Sequence, residues 1–445
     1  MTSRLVIDEI LDPSEARIVV TRDASGRVTD VRFDLVGLPR VDAMLVGRPL
    51  ADVPGLVEHL CSICPASHHL AGVRAIEALW GGVRLTPAAV AQRRLLNDGS
   101  VLANHAMSWV IAATQAAQSP ESATTAPDAP SLVDDAMALR RLAKAAMTAA
   151  GCPGHFPATA VPGGVASPVS PELRDRCAAM LDDALAAAMR IARSAVSDID
   201  HTSAPDGADD FVGADVALVD ADGHPDLSGD YLRAVAADGT VIVAGATSDA
   251  WDDLVAESVP GSQAPRPYLV ALGPDLGGYR VGPVAQLRVG VLSTPMAAEF
   301  QRDWLRAAPR TQAARAITTL HLVEDIAGLL ASPDLLGDDL MAPLPASPQG
   351  GTGVGWVDGS RGLLVHRYAA SASGEVTSAT ILTPTAQNER WLAQLLRDAV
   401  EHSADMTGVA EEAIRQADPC LPCVTAPAGH MGLVIDTVTG EPKER

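Results

Sequence analysis

The chain has 445 residues, 47% of them apolar, and a formal charge of −22. That length and apolar content suffice to bury a large core and exclude a disordered chain. A surface this acidic repels phosphates, so no nucleic acid partner is expected. The opening MTSRLVIDEILDP carries acids early, and no apolar run reaches the ~18 residues of a membrane span. Neither a signal peptide nor a direct membrane span is expected, and the chain reads as cytoplasmic.

Residues 17–36 read as a β-hairpin, two alternating β-branched runs around a turn at Ala24–Ser25–Gly26. Residues 65–80 read as a helix: Pro65 suits its first turn, and Leu70, Val73, Ile76 and Trp80 make an apolar stripe. Helical periodicity continues through 87–117 and 131–150, with a Ser/Thr/Pro-rich loop at 118–130. A long helix is expected at 171–200. From 205 to 290 Asp, Gly and Pro become frequent, and short β-type runs such as TVIVAG and PYLVAL mark a mixed α/β region. Residues 296–332 return to helix. A Gly/Pro-rich loop at 341–356 leads to a strand pair, GLLVHRYAAS and VTSATILTP, and then to helices at 387–402 and about 406–416. No internal repeat is present. The fold class expected is α+β and mainly helical: a long-helix core, an N-terminal β-hairpin and one mixed α/β insertion.

Six cysteines in a chain of this length are sparse, and four of them sit in two CxxC units, Cys61–Cys64 and Cys420–Cys423. Without an export signal, such spacing points to metal or redox chemistry rather than to disulfides. Two thiolates three positions apart at a helix start can face one ion, and a helix amino terminus favours the thiolate. Four such ligands suit zinc, an iron–sulfur cluster or nickel, with zinc the default. Zinc ribbons, however, place their CxxC units some tens of residues apart, whereas 355 residues lie between Cys64 and Cys420. This site has to tie the two ends of a large fold together.

The sequence resembles the large subunit of nickel–iron hydrogenases. That family has CxxC followed by His near its amino end, here Cys61, Cys64 and His68, and DPCxxC near its carboxyl end, here Asp418–Pro419–Cys420 through Cys423. Further segments match in order: Gly47–Arg48–Pro49, Asn104–His105, His155–Phe156–Pro157, Pro162–Gly163–Gly164–Val165, Tyr279 through Pro283, Ser360–Arg361–Gly362, and Thr383–Pro384–Thr385 with Asn388. They span most of residues 15–435.

The resemblance implies one large catalytic domain over 1–445. Its parts would be an N-terminal β region (1–60), a helical core (61–204), the mixed insertion (205–290), and a last part (291–445) of helices, strand pair and C-terminal metal-binding segment with its tail. It implies a nickel–iron centre, with Cys61 and Cys420 as terminal nickel ligands. Cys64 and Cys423 would bridge to an iron carrying carbon monoxide and cyanide. The implied reaction is reversible heterolytic cleavage of dihydrogen, with a thiolate or the Arg361 guanidinium taking the proton. Asp418 would hold Arg361 or order the cysteine turn. Pro384 and Thr385 would line the pocket of the diatomic ligands beside Arg361, and His68 would be the family's cofactor-binding histidine. Cys152 and Cys177, the two cysteines left over, read as buried small apolar residues and cannot hold a cluster by themselves. A partner iron–sulfur small subunit is therefore expected, with NAD(P)-reducing diaphorase subunits as further partners and maturation proteins to install the diatomic ligands.

Three departures from the family stand out. Its Glu-Gly-His before the first strand, whose Glu begins the proton route, is matched by Pro13–Ser14–Glu15, leaving Glu15 as the candidate substitute. The Arg before the first CxxC is His59. The His after which the tail is trimmed is Ala426, and the family's magnesium (Mg2+) site uses that His with an acid near Asp42. Two alternatives to a hydrogen-converting enzyme remain. One is a repurposed hydrogenase-like subunit that serves as a hydrogen sensor or as a structural part of a redox complex. The other is a zinc-stapled protein without redox chemistry.

Overall fold

Long Ala- and Leu-rich helices form the centre of the computed structural model, which describes residues 17–34, 41–117, 131–197, 211–260, 262, 264–306, 311–344, 351–402, 406–420, 424 and 429–439. Helix α1 (Pro65–Leu79) starts with proline at its first turn and buries nearly all its residues. Helices α2 (Pro87–Ala117) and α3 (Leu132–Ala149) pack side by side. Their contact joins Leu95, Leu102, Leu139 and Leu142, all fully buried, to Ile317 and Leu320 of a later helix. The start of α3 is fixed by a capping box: the Ser131 hydroxyl accepts from the Asp134 N–H (3.2 Å), and the Ser131 N–H donates to the Asp134 carboxylate (3.0 Å). Ser131→Ala is expected to cost about 1 kcal/mol in urea unfolding; an unchanged midpoint would show that the box adds nothing.

The helix expected over 171–200 is two helices, α4 (Pro171–Ala178) and α5 (Leu181–Ser197). The Met180 N–H bonds the Cys177 carbonyl, three residues back, and this tighter turn ends α4. The chain is thereby re-aimed so that Ala184, Ala187, Ala188, Ile191 and Ala192 of α5 face the core. The helix expected over 296–332 is likewise α7 (Pro295–Trp304) and α8 (Thr311–Ala331), preceded by the short α6 (Pro283–Val289). Helices α9 (Glu389–His402) and α10 (Met406–Ala417) follow the sequence reading closely. No helix of the described residues is long and apolar enough to cross a membrane.

Three larger sheets and two two-stranded ones accompany the helices among the described residues. The hairpin expected at the amino end is present as β1 (Arg17–Arg22) and β2 (Val28–Asp34), and the Asp23 carboxylate accepts the Ser25 and Arg27 N–H groups in its turn. A third strand, β10 (Val434–Thr439), lies parallel to β1 with Arg17 opposite Val434. The mixed region contributes β3 (Ala214–Val219), β4 (Tyr231–Ala236), β5 (Val241–Ala246) and β6 (Tyr279–Arg280), arranged β6-β3-β4-β5.

The expected strand pair is an antiparallel triple: β7 (Gly351–Gly359), β8 (Gly362–Ala370) and β9 (Val376–Leu382). Residues 351–356, read from sequence as loop, belong to β7. Its glycines serve a close approach rather than a turn. A Cβ on Gly353 would lie 2.2 Å from the Ala75 carbonyl oxygen, and one on Gly355 would lie 2.1 Å from the Ala75 nitrogen. Strand β7 therefore rests directly on the backbone of α1.

Candidate metal centre

The first CxxC forms the turn that enters α1. Cys64 is the residue before Pro65, and within the turn the Ile63 N–H points at Cys61 Sγ (3.4 Å). Cys64 Sγ lies 3.1 Å from Cys61 Sγ. The second motif arrives from the other end of the chain. Helix α10 closes with the Asp418 N–H on the Ile414 carbonyl (2.9 Å). Asp418 then takes a left-handed conformation (φ 44°), one that Asp tolerates better than most residues. That reversal sends Cys420 back toward α1, where its N–H donates to Thr385 Oγ1 (2.8 Å) and its sulfur stands 3.7 Å from Cys61 Sγ.

Ligand sulfurs about 2.3 Å from one ion stand roughly 3.3–3.8 Å apart, depending on geometry. The Cys61–Cys420 separation of 3.7 Å lies in that range and the Cys61–Cys64 one of 3.1 Å just below it, and the sulfur donors suit a soft transition metal. Cys423 lies outside the described residues, as do Glu15, Pro13 and Ala426. The three described sulfurs share charge. Hydrogen bonds from Cys420 and then Cys64 hold the Cys61 thiol far below its usual range, whereas Cys64 is raised in return and Cys420 is pushed up to about 12. One thiolate is thus already favoured, and a metal would displace the remaining protons.

His68, on the first turns of α1, brings its ring within 4.8 Å of the Cys61 and Cys64 sulfurs. Its other nitrogen, Nδ1, faces His366 Nε2 at 3.0 Å. Arg361 sits in the β7–β8 turn. Gly362 there has φ +116°, and a Cβ on it would lie 2.3 Å from the Gly282 nitrogen, so the turn is seated on the Val281–Gly282 backbone. Asn388 fastens that backbone in turn, accepting from the Val281 N–H (2.8 Å) and donating to its carbonyl (3.1 Å). Arg361 Nη2 donates to Asp418 Oδ1 (3.3 Å), its Nε stands 3.2 Å from Oδ2, and Nη1 reaches Ser360 Oγ (3.1 Å) and Asn104 Oδ1 (3.5 Å). Burial opposes its charge, but Asp418 and the nearby Cys420 and Cys64 outweigh that and raise its pKa further.

The sequence reading missed Arg315. This buried side chain on α8 donates to Asp418 Oδ2 at 2.5 Å, so two guanidinium groups share one carboxylate. A lone arginine on the all-round apolar helix TQAARAITTLHLV was the available signal. His366 and Tyr368 were missed too, being read only as parts of a strand.

Pro384 and Thr385 are buried beside Cys420, where Thr385 bonds its backbone. They line a cavity of about 1000 Å³ with Cys61, Cys64, Arg361 and Cys420. Asp42, 5% exposed, lines the same cavity, and its carboxylate accepts the Ala43 N–H (3.0 Å). His59 is 57% exposed at its side chain and packs against Phe156, with ring centroids 4.0 Å apart and the planes tilted by 50°. Cys152 and Cys177 are fully buried, and burial alone pushes the Cys177 thiol up to about 12, which fits apolar packing.

No protein-family model matches the chain. It is, however, 30% identical over 408 residues to a component of the F420-non-reducing hydrogenase vhu of Methanococcus voltae, covering 86% of this chain and 95% of the relative. The chain belongs to the large, catalytic subunits of nickel–iron hydrogenases. The NAD-reducing hydrogenase HoxS subunit beta of Cupriavidus necator is 28% identical, over 98% of this chain and 97% of that one. Among solved structures, an NAD+-reducing [NiFe]-hydrogenase in its H2-reduced state superposes with a TM-score of 0.77 at 29% identity, over 91% of this chain and 95% of that one. A [NiFeSe] hydrogenase of Desulfovibrio vulgaris Hildenborough, 17% identical with a TM-score of 0.68 over 90% and 94%, shares the fold. As a hydrogenase large subunit this chain is divergent, and its α+β, mainly helical architecture is that of its relatives.

Proposed function

We propose that this large subunit holds a nickel–iron centre on Cys61, Cys64, Cys420 and Cys423, and catalyses reversible heterolytic cleavage of dihydrogen. The observation that carries the reading is the 3.7 Å approach of Cys61 and Cys420 across 359 positions of sequence. The metal group supplies the electrophilic site at which dihydrogen is polarised. The chain's own residues do the rest. Asp418 orients the Arg361 guanidinium over the cavity, where a fixed positive charge stabilises developing negative charge. Thr385 fixes the Cys420 backbone, so the sulfur that can accept the proton is held beside that guanidinium. Pro384 adds an apolar wall to the cavity.

Electrons have to leave the subunit, and among the described residues the two other cysteines are buried in apolar surroundings and offer no cluster site. We assign their acceptor to a separate iron–sulfur subunit, with NAD(P)-linked diaphorase subunits beyond it, in the cytoplasm. Exposed Phe156 and His59, two positions before Cys61, provide a docking face next to the centre. Asp42 is the acid available for a structural magnesium ion.

Metal analysis and infrared spectroscopy on the chain purified with its partners test this reading. About one nickel per chain, with bands of metal-bound carbon monoxide and cyanide, is expected. Zinc alone, or no metal after co-expression with a full maturation set, would overturn it. A loaded centre with no hydrogen-dependent dye reduction would instead favour the repurposed subunit, the reading supported by the departures at Pro13, His59 and Ala426.

A further inference from the structure

Tyr368 and His366 on β8 are both 0% exposed, His68 on α1 is 4% exposed, and the three side chains are linked end to end. The Tyr368 hydroxyl bonds His366 Nδ1, and His366 Nε2 bonds His68 Nδ1 at 3.0 Å. The ring of His68 also lies within 4.8 Å of the Cys61 and Cys64 sulfurs, so its remaining nitrogen is the one left for them. Gly72 of α1 makes the space: a Cβ there would stand 3.3 Å from the tyrosine oxygen and 3.6 Å from His366 Nδ1.

A neutral imidazole has one donor nitrogen and one acceptor nitrogen. Such a row can therefore run in only two directions. In the reverse direction a cysteine S–H donates to His68, His68 to His366, and His366 to the tyrosine oxygen. The Tyr368 O–H would then need another acceptor. Among the described residues its hydroxyl has no hydrogen bond but the one to His366, and Tyr368 belongs to an apolar cluster with Leu45, Leu50 and Val53. A buried donor left without a partner costs about 1–3 kcal/mol. In the forward direction Tyr368 donates to His366 and His366 to His68, so the tyrosine hydroxyl is satisfied and the His68 Nε2–H is left for the cysteine sulfurs. A thiolate, which carries no proton of its own, also requires the forward direction.

We propose that Tyr368 and His366 are positioning residues that act through His68. They form a one-way row of hydrogen-bond donors directed at the cysteine sulfurs of the centre, and the row sets the electron density of the thiolate it reaches. The step from thiolate to metal rests on the nickel–iron reading above; the direction of the row does not. Hydrogen bonds to ligand sulfur tune a metal site's potential, and the outer partners that fix a histidine's tautomer decide whether such a bond is made.

Two measurements test the proposal. In the metal-free chain, nitrogen-15 NMR of labelled histidines is expected to show both His366 and His68 as Nε2–H tautomers. In Tyr368→Phe the His366 tautomer should no longer be fixed. A His366 Nδ1–H tautomer in the unaltered chain overturns the row, and this holds even where Tyr368→Phe fails to fold or the chain takes up no nickel. In the loaded complex, Tyr368→Phe is expected to keep its nickel, shift the carbon monoxide and cyanide bands to lower wavenumber, and lower the midpoint potential. Unmoved bands and potential, with the tautomers as described, overturn the link to the thiolate.

Discussion

Arg361→Lys is expected to cut hydrogen turnover by about two to three orders of magnitude, the loss typical of removing one preorganised donor from an active site. Nickel content should stay unchanged. The guanidinium meets Asp418 through two nitrogens, at 3.2 and 3.3 Å, while reaching Ser360 and Asn104 with a third. An ammonium is a point charge without that fork and cannot hold three directions at once. Its position is weakened further by Arg315, which already bonds Asp418 Oδ2 at 2.5 Å and would take the carboxylate for itself. The charge would survive while its placement over the cavity would be lost. Hydrogen-dependent dye reduction, compared with metal content and urea midpoint on the same preparations, separates the effects. A rate within a few-fold of the unaltered enzyme would show that Arg361 is a structural cation only.

The arginine also marks what could be read from the sequence and what could not. Cys61, Cys64 and Cys420 were legible because metal ligands obey spacing rules, and Arg361 was legible because it sits in a recognisable local string. Its dependence on Arg315 was not, since the contact joins positions 103 apart and nothing local distinguishes a buried cation from a solvated one. The same holds for His366 and Tyr368, which alternate along a strand as ordinary inward residues do. Gly353 and Gly355 misled in the opposite sense. Glycine was taken for loop punctuation, yet here it permits the contact between β7 and the α1 backbone. In the tail after Cys423, β10 completes a sheet by pairing with β1. Met431, just before it, is 1% exposed and donates its N–H to Glu411 (3.1 Å). The alternation VIDTVT was present in the sequence, but an edge strand shows itself only once its partner edge is known.

That β7–α1 contact carries the second large expected effect. In Gly355→Ala the new methyl would stand 2.1 Å from the Ala75 nitrogen, 2.4 Å from the Ala71 oxygen and 2.6 Å from the Arg74 carbonyl carbon. All three are helix backbone, so no side chain can rotate away, and α1 has to move by roughly an ångström against a packed core. A loss of about 3 kcal/mol in urea unfolding is expected, the upper end for overpacking. The metal centre should suffer with it. Helix α1 follows directly on Cys64 and carries His68, while Cys420 is fixed independently by Thr385, so a shifted helix opens the 3.7 Å gap between Cys61 and Cys420. Nickel per chain should therefore fall together with the unfolding midpoint. Gly328→Ala on α8 is the control: nothing lies within 4 Å of its Cβ, and alanine there should stabilise by about 0.5–1 kcal/mol through helix propensity. A Gly355→Ala chain that unfolds at the usual urea concentration and takes up its full nickel would mean that α1 can give way. The close seating of α1 on β7 would then not be what holds the two cysteine motifs in register.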